Sequence, residues 1–303
     1  MRAMIRAVFA VALLAPSLSA QELLGRSESV FSITERLADG GAVRIYSRMG
    51  DINITEGSGS TVEYRAEKVP RRGKVDDIAF QVIRGSNGVT ICAVYTDEDN
   101  SCDADGLRNR RNGWRDGSRD RASVNVTVKV PRRALLRSST VNGDLSVAAA
   151  VAEAHASSGN GKVRVVGVTG RVEASSGNGD ITVENAGGPV RASSGSGDVR
   201  VTAVNGPVNA SSGNGSILAS MDKLSSDGDL EFSTGNGRIE VVLPANFSAE
   251  VEASSGNGKV ATDFPITIMG RLTPSRLRGT IGDGGRRLRM STGNGSLAIR
   301  KQP

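Results

Sequence analysis

The 303-residue sequence is poor in aromatic residues, histidine and cysteine. Phe, Trp and Tyr together make up 3% of the chain, which fits a narrow core of Val, Ile and Ala rather than a large aromatic one. One histidine and two cysteines cannot supply the ligands of a zinc site. His155 lies between two alanines, outside any nucleophile motif. The sequence therefore predicts no catalytic residue, no metal site and no cofactor.

Long apolar runs are also missing, and no segment approaches the roughly 20 residues that a transmembrane helix needs. Residues 1–20 carry Arg2 and Arg6, then a short apolar run, then small residues ending at Ala20. This pattern is typical of a cleaved secretory signal peptide; an N-terminal membrane anchor is the alternative. No cysteine follows the run, so we expect no lipid anchor. We expect an exported protein located in the periplasm, on the cell surface or in the medium.

Glycine is abundant, and much of it belongs to one recurring phrase. Ala-Ser-Ser-Gly-Asn-Gly-Asp-Ile at 174–181 returns with small changes along the second half of the chain. The spacings of its Asn position are 18, 18, 18, 18, 22, 21 and 37 residues, the last close to two periods. A fixed period of about 18 residues is the signature of a repeat architecture. The positions are Asn142, Asn160, Asn178, Ser196, Asn214, Asn236, Asn257 and Asn294.

Each repeat divides into two halves, and each half is a turn glycine followed by alternating apolar and polar residues. Such alternation is typical of a strand with one buried face. The sequence therefore predicts an all-β, parallel β-solenoid with about 18 residues and two short strands per coil, the coils about 4.8 Å apart. The expected inward ladders are Val163, Ile181, Val199 and Ile217 on one sheet, and Val172, Val190 and Val208 on the other.

The repeat also suggests a division of the chain. Residues 138–303 form regular coils and a C-terminal cap, whereas residues 21–137 are rich in strand patterns but irregular. We interpret 21–137 as leading β coils and a cap, because an open solenoid end is an unpaired sheet edge. A loop at 97–121 is inserted there. A separate small β-domain is the alternative for this region.

Cys92 and Cys102 are the only cysteines, and in an exported chain they predict an intramolecular disulfide. A redox pair would require a spacing such as Cys-x-x-Cys, which is absent. The acidic residues that follow could suggest calcium, but they do not match the EF-hand spacing. We expect a solvated acidic loop there; its residues are Asp97, Asp99, Ser101, Asp103 and Asp105.

The formal net charge is +6, and removal of Arg2 and Arg6 with the signal peptide leaves +4 (6 − 2). Two arginine clusters stand out, and either could bind an anion or simply be solvated. The later cluster is the better candidate because aspartates dilute the earlier one, and we predict an anion-binding patch at Arg286, Arg287 and Arg289. The earlier cluster is Arg108, Arg110, Arg111, Arg115, Arg119 and Arg121 beside Trp114; the later one adds Arg271, Arg276 and Arg278.

Three features together resemble a known family. They are the repeated phrase, the strand ending Val128-Lys129-Val130-Pro131, and the closing segment 281–297 with its Gly-Asp-Gly-Gly and Ser-Thr-Gly-Asn-Gly steps. These resemble the bacterial β-strand-repeat family of candidate adhesins, related to the head GIN domain family of autotransporter adhesins. The resemblance implies a right-handed β-helix-like fold on an exported protein and defines no catalytic or binding residues.

We therefore expect a non-enzymatic β-solenoid that acts as an adhesive or structural surface. Its expected partner is a cell-surface glycan, lipopolysaccharide or another envelope protein. We do not expect it to bind nucleic acid. Two alternatives remain open. One is a carbohydrate-active enzyme on a β-helix, since a fold does not imply a chemistry. The other is a periplasmic accessory protein in envelope stress or signalling.

Overall fold

Two long sheets, here called A and B, contain nearly all strands of the protein. The described part of the chain has no α-helix, and no helix there is long and apolar enough to cross a membrane. The predicted all-β, parallel solenoid is confirmed. The expected signal peptide lies outside the described residues. The structure is a computed structural model that describes residues 23–70, 74–96, 100–104, 106–109, 122–221, 223–224, 227–269 and 273–302.

Each regular coil consists of a longer strand in sheet A, a glycine corner and a short strand in sheet B. Neighbouring coils pair parallel and in register, so that Ile181 lies opposite both Val163 and Val199. These side chains are buried, and the two predicted ladders are confirmed. The coils are β10 (Leu135–Asn142) with β11 (Leu145–Ala148), β12 (Glu153–Asn160) with β13 (Val163–Val166), β14 (Arg171–Asn178) with β15 (Ile181–Glu184), β16 (Val190–Ser196) with β17 (Val199–Thr202), β18 (Val208–Asn214) with β19 (Ile217–Ser220), and β20 (Leu230–Asn236) with β21 (Ile239–Leu243).

The recurring phrase is explained by the way the corners stack. Gly161 has φ +153°, and a Cβ there would lie 2.1 Å from the carbonyl oxygen of Gly143. Only a residue without a side chain permits this approach. The second serine of the phrase is buried, and Ser176 Oγ donates a hydrogen bond to the Gly161 carbonyl at 2.8 Å. The same bond is made by Ser158, Ser194 and Ser212.

The asparagines form a second ladder at these corners. Asn160 Nδ2 donates to Asn142 Oδ1 at 2.8 Å, and Asn178 donates to Asn160 in the same way. Stacked amides of this kind pair donor with acceptor from coil to coil, as in other in-register parallel stacks. The repeated Asn side chains therefore form hydrogen bonds between coils, and this structural role accounts for their recurrence.

At the C-terminal end the coils do not stack in chain order. The last coil, β26 (Arg287–Asn294) with β27 (Leu297–Lys301), lies between β20/β21 and the coil formed by β22 (Ala249–Asn257) and β23 (Val260–Thr262). The 37-residue gap between asparagines is therefore not a skipped coil. It contains β24 (Thr267–Ile268) and β25 (Arg276–Ile281). Because β25 pairs antiparallel with the outer edge of β22, only the inner edge of β22 remains for β26.

The N-terminal end has a similar arrangement. The coil formed by β2 (Ala42–Met49) and β3 (Ile52–Glu56) lies between β10/β11 on one side and β6 (Gly88–Tyr95) and β9 (Ser123–Val130) on the other. Antiparallel strands then cover both sheets, which is how an open edge is closed. These are β1 (Val30–Arg36) and β4 (Thr61–Val69) in sheet B, and β5 (Ile78–Gly85) in sheet A.

The largest aromatic side chains of the core gather under this N-terminal cover. Phe31 stacks on Phe80 with ring centroids 4.6 Å apart, and Tyr64 packs edge-on against both. Burial raises the pKa of Tyr64. Lys68 is buried nearby, and its Nζ donates to four backbone carbonyls. Burial lowers the pKa of Lys68, although Asp76 and Glu28 oppose the shift. The four bonds tie the first described residues to the cover.

The predicted inserted loop begins with a hairpin of β7 (Asn100–Asp103) and β8 (Gly106–Asn109). A disulfide joins Cys92 in β6 to Cys102 in β7, with Cα atoms 6.0 Å apart. Both cysteines belong to a small hydrophobic cluster separate from the main core, with Tyr46, Ala79 and Val94. Most of the earlier arginine cluster and Trp114 lie outside the described residues.

Candidate functional site

A cavity of about 650 Å³ lies where the 18-residue period breaks. Residues from three connections line it: 223–224 and 227–229 between β19 and β20, 244–248 between β21 and β22, and 284–286 between β25 and β26. The intercalated last coil brings the third connection beside the first two. The lining residues are Lys223, Leu224, Asp227, Asp229, Pro244, Asn246, Phe247, Ser248, Gly284, Gly285 and Arg286.

Local turn chemistry shapes each connection. Phe247 N donates to the Pro244 carbonyl at 3.0 Å, which closes the second connection as a tight turn. In the third connection Gly282 and Gly284 have φ values of +56° and +79°, which a side chain would resist. The chain therefore reverses sharply just before Arg286 and enters β26.

Arg286 lies at the centre of this pocket, with only 13% of its side chain exposed. Its guanidinium carbon lies 5.9 Å from the centroid of the Phe247 ring, a cation–π contact. Nη2 donates to Asp227 Oδ1 at 3.3 Å. Nη1 is buried and has no hydrogen-bond partner among the described residues. Because a buried unpaired donor costs free energy, this nitrogen is suited to an acceptor from outside the chain.

The charges around Arg286 nearly balance. Lys223 contributes a second positive charge, whereas Asp227 and Asp229 contribute two negative ones. Asp229 is committed to the backbone, since its Oδ1 accepts the Arg287 N–H at 2.9 Å. Among the described residues, the contact shown for Asp227 is the long one to Arg286, and its side chain is fully exposed. The movable negative charge in the pocket is therefore Asp227.

The other two arginines of the predicted patch lie elsewhere. Strand alternation places Arg287 and Arg289 on the outer face of sheet A, away from the Arg286 pocket. Acidic residues flank them in register, Glu250 opposite Arg287 and Glu252 opposite Arg289. Arg289 Nη2 lies 3.6 Å from Glu252 Oε2. The three predicted arginines therefore do not converge, and of these three only Arg286 has a buried donor without a partner among the described residues.

The remaining candidate residues have structural partners. His155 Nε2 lies 2.7 Å from Glu153 Oε1, and its Nδ1 lies 2.9 Å from Glu173 Oε2, all on the outer face of sheet A. Asp103 Oδ1 accepts the Gly106 N–H at 2.9 Å within the β7–β8 hairpin. No group of three or more potential metal ligands occurs in the part of the chain that the structure describes.

The prediction of an arginine patch missed the sequence signal that marks this pocket. The first and second connections belong to coils that are lengthened from 18 residues to 22 and 21, and described residues of both connections line the cavity. In a repeat protein, insertions map to loops and often to the binding face. The breaks in the period are therefore a sequence signal for this cavity that the arginine count does not contain.

A profile of the Toastrack DUF4097 family matches residues 107–300, more than half of the chain. No curated protein matches it.

Among solved structures, the chain is similar to a candidate adhesin from Bacteroides fragilis, with 14% identity, 90% of this chain and 98% of that chain covered, and a TM-score of 0.45. It is also similar to a candidate cell adhesion protein from Clostridium sporogenes, with 10% identity, 90% and 100% coverage, and a TM-score of 0.27. A candidate adhesin from Parabacteroides distasonis shows 11% identity, 89% and 96% coverage, and a TM-score of 0.26.

Proposed function

The chain belongs to the Toastrack DUF4097 family, and we propose that it is an exported, non-enzymatic binding protein of the adhesin type. In this proposal the two-sheet stack is a rigid support, and the Arg286 pocket is where it holds an anionic group of a surface polymer. The partner is an acidic glycan or lipopolysaccharide. The pocket lies in connections, and each of these is anchored at both ends by strands of the stack.

One observation carries this proposal. Arg286 is largely buried, its ring contact with Phe247 fixes the guanidinium, and its Nη1 has no acceptor among the described residues. Arginine is the residue best suited to paired hydrogen bonds with carboxylate or phosphate. Hydrogen bonds to charged groups in such settings contribute about 1.5–3 kcal/mol. An anion that reaches Nη1 would satisfy a donor that the fold leaves unpaired.

The test is binding of the purified mature protein to arrays of acidic glycans, neutral glycans and lipopolysaccharide. We expect selective binding to anionic surfaces, and a loss of at least about tenfold in Arg286→Gln, since 1.4 kcal/mol corresponds to a factor of ten. Arg287→Gln is the matched control, because it removes the same charge one residue away on another face. Equal losses in both variants would mean that only net charge matters. Cell fractionation checks the exported location.

A further inference from the structure

Asp227 combines two properties that are not expected together in a residue with a purely structural role. It contacts Arg286 at 3.3 Å, yet its side chain is fully exposed. Ion pairs with one exposed partner and long geometry contribute little to stability, because water competes for the charges. The contact therefore does not hold the pocket together. It places a carboxylate on the guanidinium that a competing group could readily displace.

The hydrogen-bond pattern of Arg286 shows what could replace it. The two terminal nitrogens Nη1 and Nη2 lie on the same edge of the planar guanidinium, and a carboxylate commonly binds that edge through two parallel hydrogen bonds. Asp227 uses one oxygen on Nη2 and leaves Nη1 without a partner among the described residues. A better-placed carboxylate would engage both nitrogens. Because Nη1 is buried, such a group reaches it only if the atoms that cover it also give way when Asp227 leaves Nη2, and the inference requires that movement.

The charge balance of the pocket selects between kinds of anion. With Asp227 displaced, the remaining charged groups are Lys223, Arg286 and Asp229, which sum to one positive charge. A carboxylate carries one negative charge and restores neutrality. A phosphate monoester carries nearly two at neutral pH, and Asp229 would repel the excess. The pocket therefore favours a monoanion.

The rest of the lining suits a sugar. Asn246 and Ser248 offer polar groups, whereas Leu224 and Pro244 offer apolar surface, the mixture that a pyranose ring with hydroxyls and C–H faces requires. The cavity of about 650 Å³ is within the range of small-ligand sites and exceeds the needs of a bare anion.

We infer that the Arg286 pocket binds the carboxylate of an acidic sugar, and that Asp227 is an internal stand-in which the sugar displaces. This inference rests on the proposed function and adds the ligand class and a mechanism of entry to it. Asp227 weakens binding by competition and keeps the guanidinium neutralised until a ligand arrives.

In the experiment, the full mature chain is titrated with sodium glucuronate, glucose, glucose 6-phosphate and N-acetylglycine. Binding of each compound is measured by ligand-observed NMR. We expect glucuronate to bind, and Asp227→Asn to bind it about two- to fivefold more tightly, since the competing pair is a weak one. Asp283→Asn is the matched control. It removes the same charge from the exposed 282–286 connection without touching Arg286, and its affinity should equal that of the unaltered protein.

The outcomes separate the inference from the proposed function. If Arg286→Gln loses binding but Asp227→Asn binds glucuronate equally or more weakly, Asp227 positions the arginine and the stand-in is wrong, while the anion pocket stands. Stronger binding of glucose 6-phosphate, or equal binding of N-acetylglycine, overturns the acidic-sugar assignment. If no anionic probe binds the unaltered protein or the Asp227→Asn variant, the proposal of an anion-binding pocket is wrong. Asp227 is fully exposed, so its replacement does not threaten folding.

Discussion

The two serines of the repeated phrase differ in role although they are adjacent. Ser176 is buried and donates to the Gly161 carbonyl of the preceding coil. Ser175 lies half-buried on the outer face of sheet A. Alternation along the strand separates them. The inner serine therefore satisfies a corner carbonyl that no strand partner reaches, and the outer one is available to solvent.

At the scale of single residues, we predict that the two serine replacements change the free energy of unfolding by different amounts. Ser176→Ala should lower the free energy of unfolding by about 1–3 kcal/mol, because it leaves a buried carbonyl without its donor. Ser175→Ala should change it by less than about 0.5 kcal/mol, as surface substitutions usually do. Urea denaturation of the purified variants measures both. Equal effects would contradict the assigned hydrogen bond.

Residue identity alone could not single out Arg286, the proposed binding group. Arg286, Arg287 and Arg289 are equivalent in sequence, yet only Arg286 precedes β26 and turns away from the outer face. Its surroundings come from connections up to about 60 residues earlier, such as Asp227 and Phe247. The cation could be predicted, but its burial and its unpaired Nη1 depend on contacts that no local pattern specifies.

At the scale of elements, the coil is the part of the fold most readily predicted. Turn glycines and alternating apolar residues specify two strands and two corners, and the β14/β15 coil matches that description. The connections of the irregular coils were less predictable. Their extra length is visible as spacings of 22 and 21 residues, but spacing does not show that two insertions meet a third turn around one cavity.

The β7–β8 hairpin gives a prediction about the disulfide. Intact mass analysis without reductant should show Cys92 and Cys102 linked, two hydrogens lighter than the dithiol. Reduction should lower the free energy of unfolding by about 2–3 kcal/mol, since the bridge closes a loop with a sequence separation of 10 residues. Both cysteines lie in a cluster apart from the main core. Hydrogen exchange should therefore rise in β6–β8 and stay unchanged in the β12–β18 coils; two free thiols in the native protein would refute the assignment.

At the scale of the whole molecule, repetition predicts that coils stack but not which coils are neighbours. The strands β20, β22 and β26 all alternate apolar and polar residues and all end in Asn at the corner, so β20 could pair equally well with β22 or β26 by pattern alone. The structure pairs β20 with β26, and Asn294 donates to Asn236 while Asn257 donates to Asn294. The choice is made by β25, which covers the far edge of β22.

The intercalated order predicts an unusual ranking of truncations. A chain ending at Arg286 loses the coil between β20/β21 and β22/β23 and leaves strand edges unpaired on both sides of the gap. A chain ending at Leu243 loses more residues but leaves one open end. We expect the shorter deletion to be the more harmful, because exposed edges promote aggregation. Soluble yield and size-exclusion chromatography compare the two; a stack in chain order would give the opposite ranking.

The position of the last coil also has a consequence for the order in which the coils can assemble. Solenoid coils can add one by one onto a finished neighbour, and this vectorial growth is possible as far as β21. The next coil in the chain, β22/β23, does not pair with β20/β21. The stack can therefore be completed only when residues 287–301 pair between these two coils and join them as a clasp. Arg286 immediately precedes that clasp. The same last coil therefore completes the stack and places Arg286 beside Phe247 and Asp227.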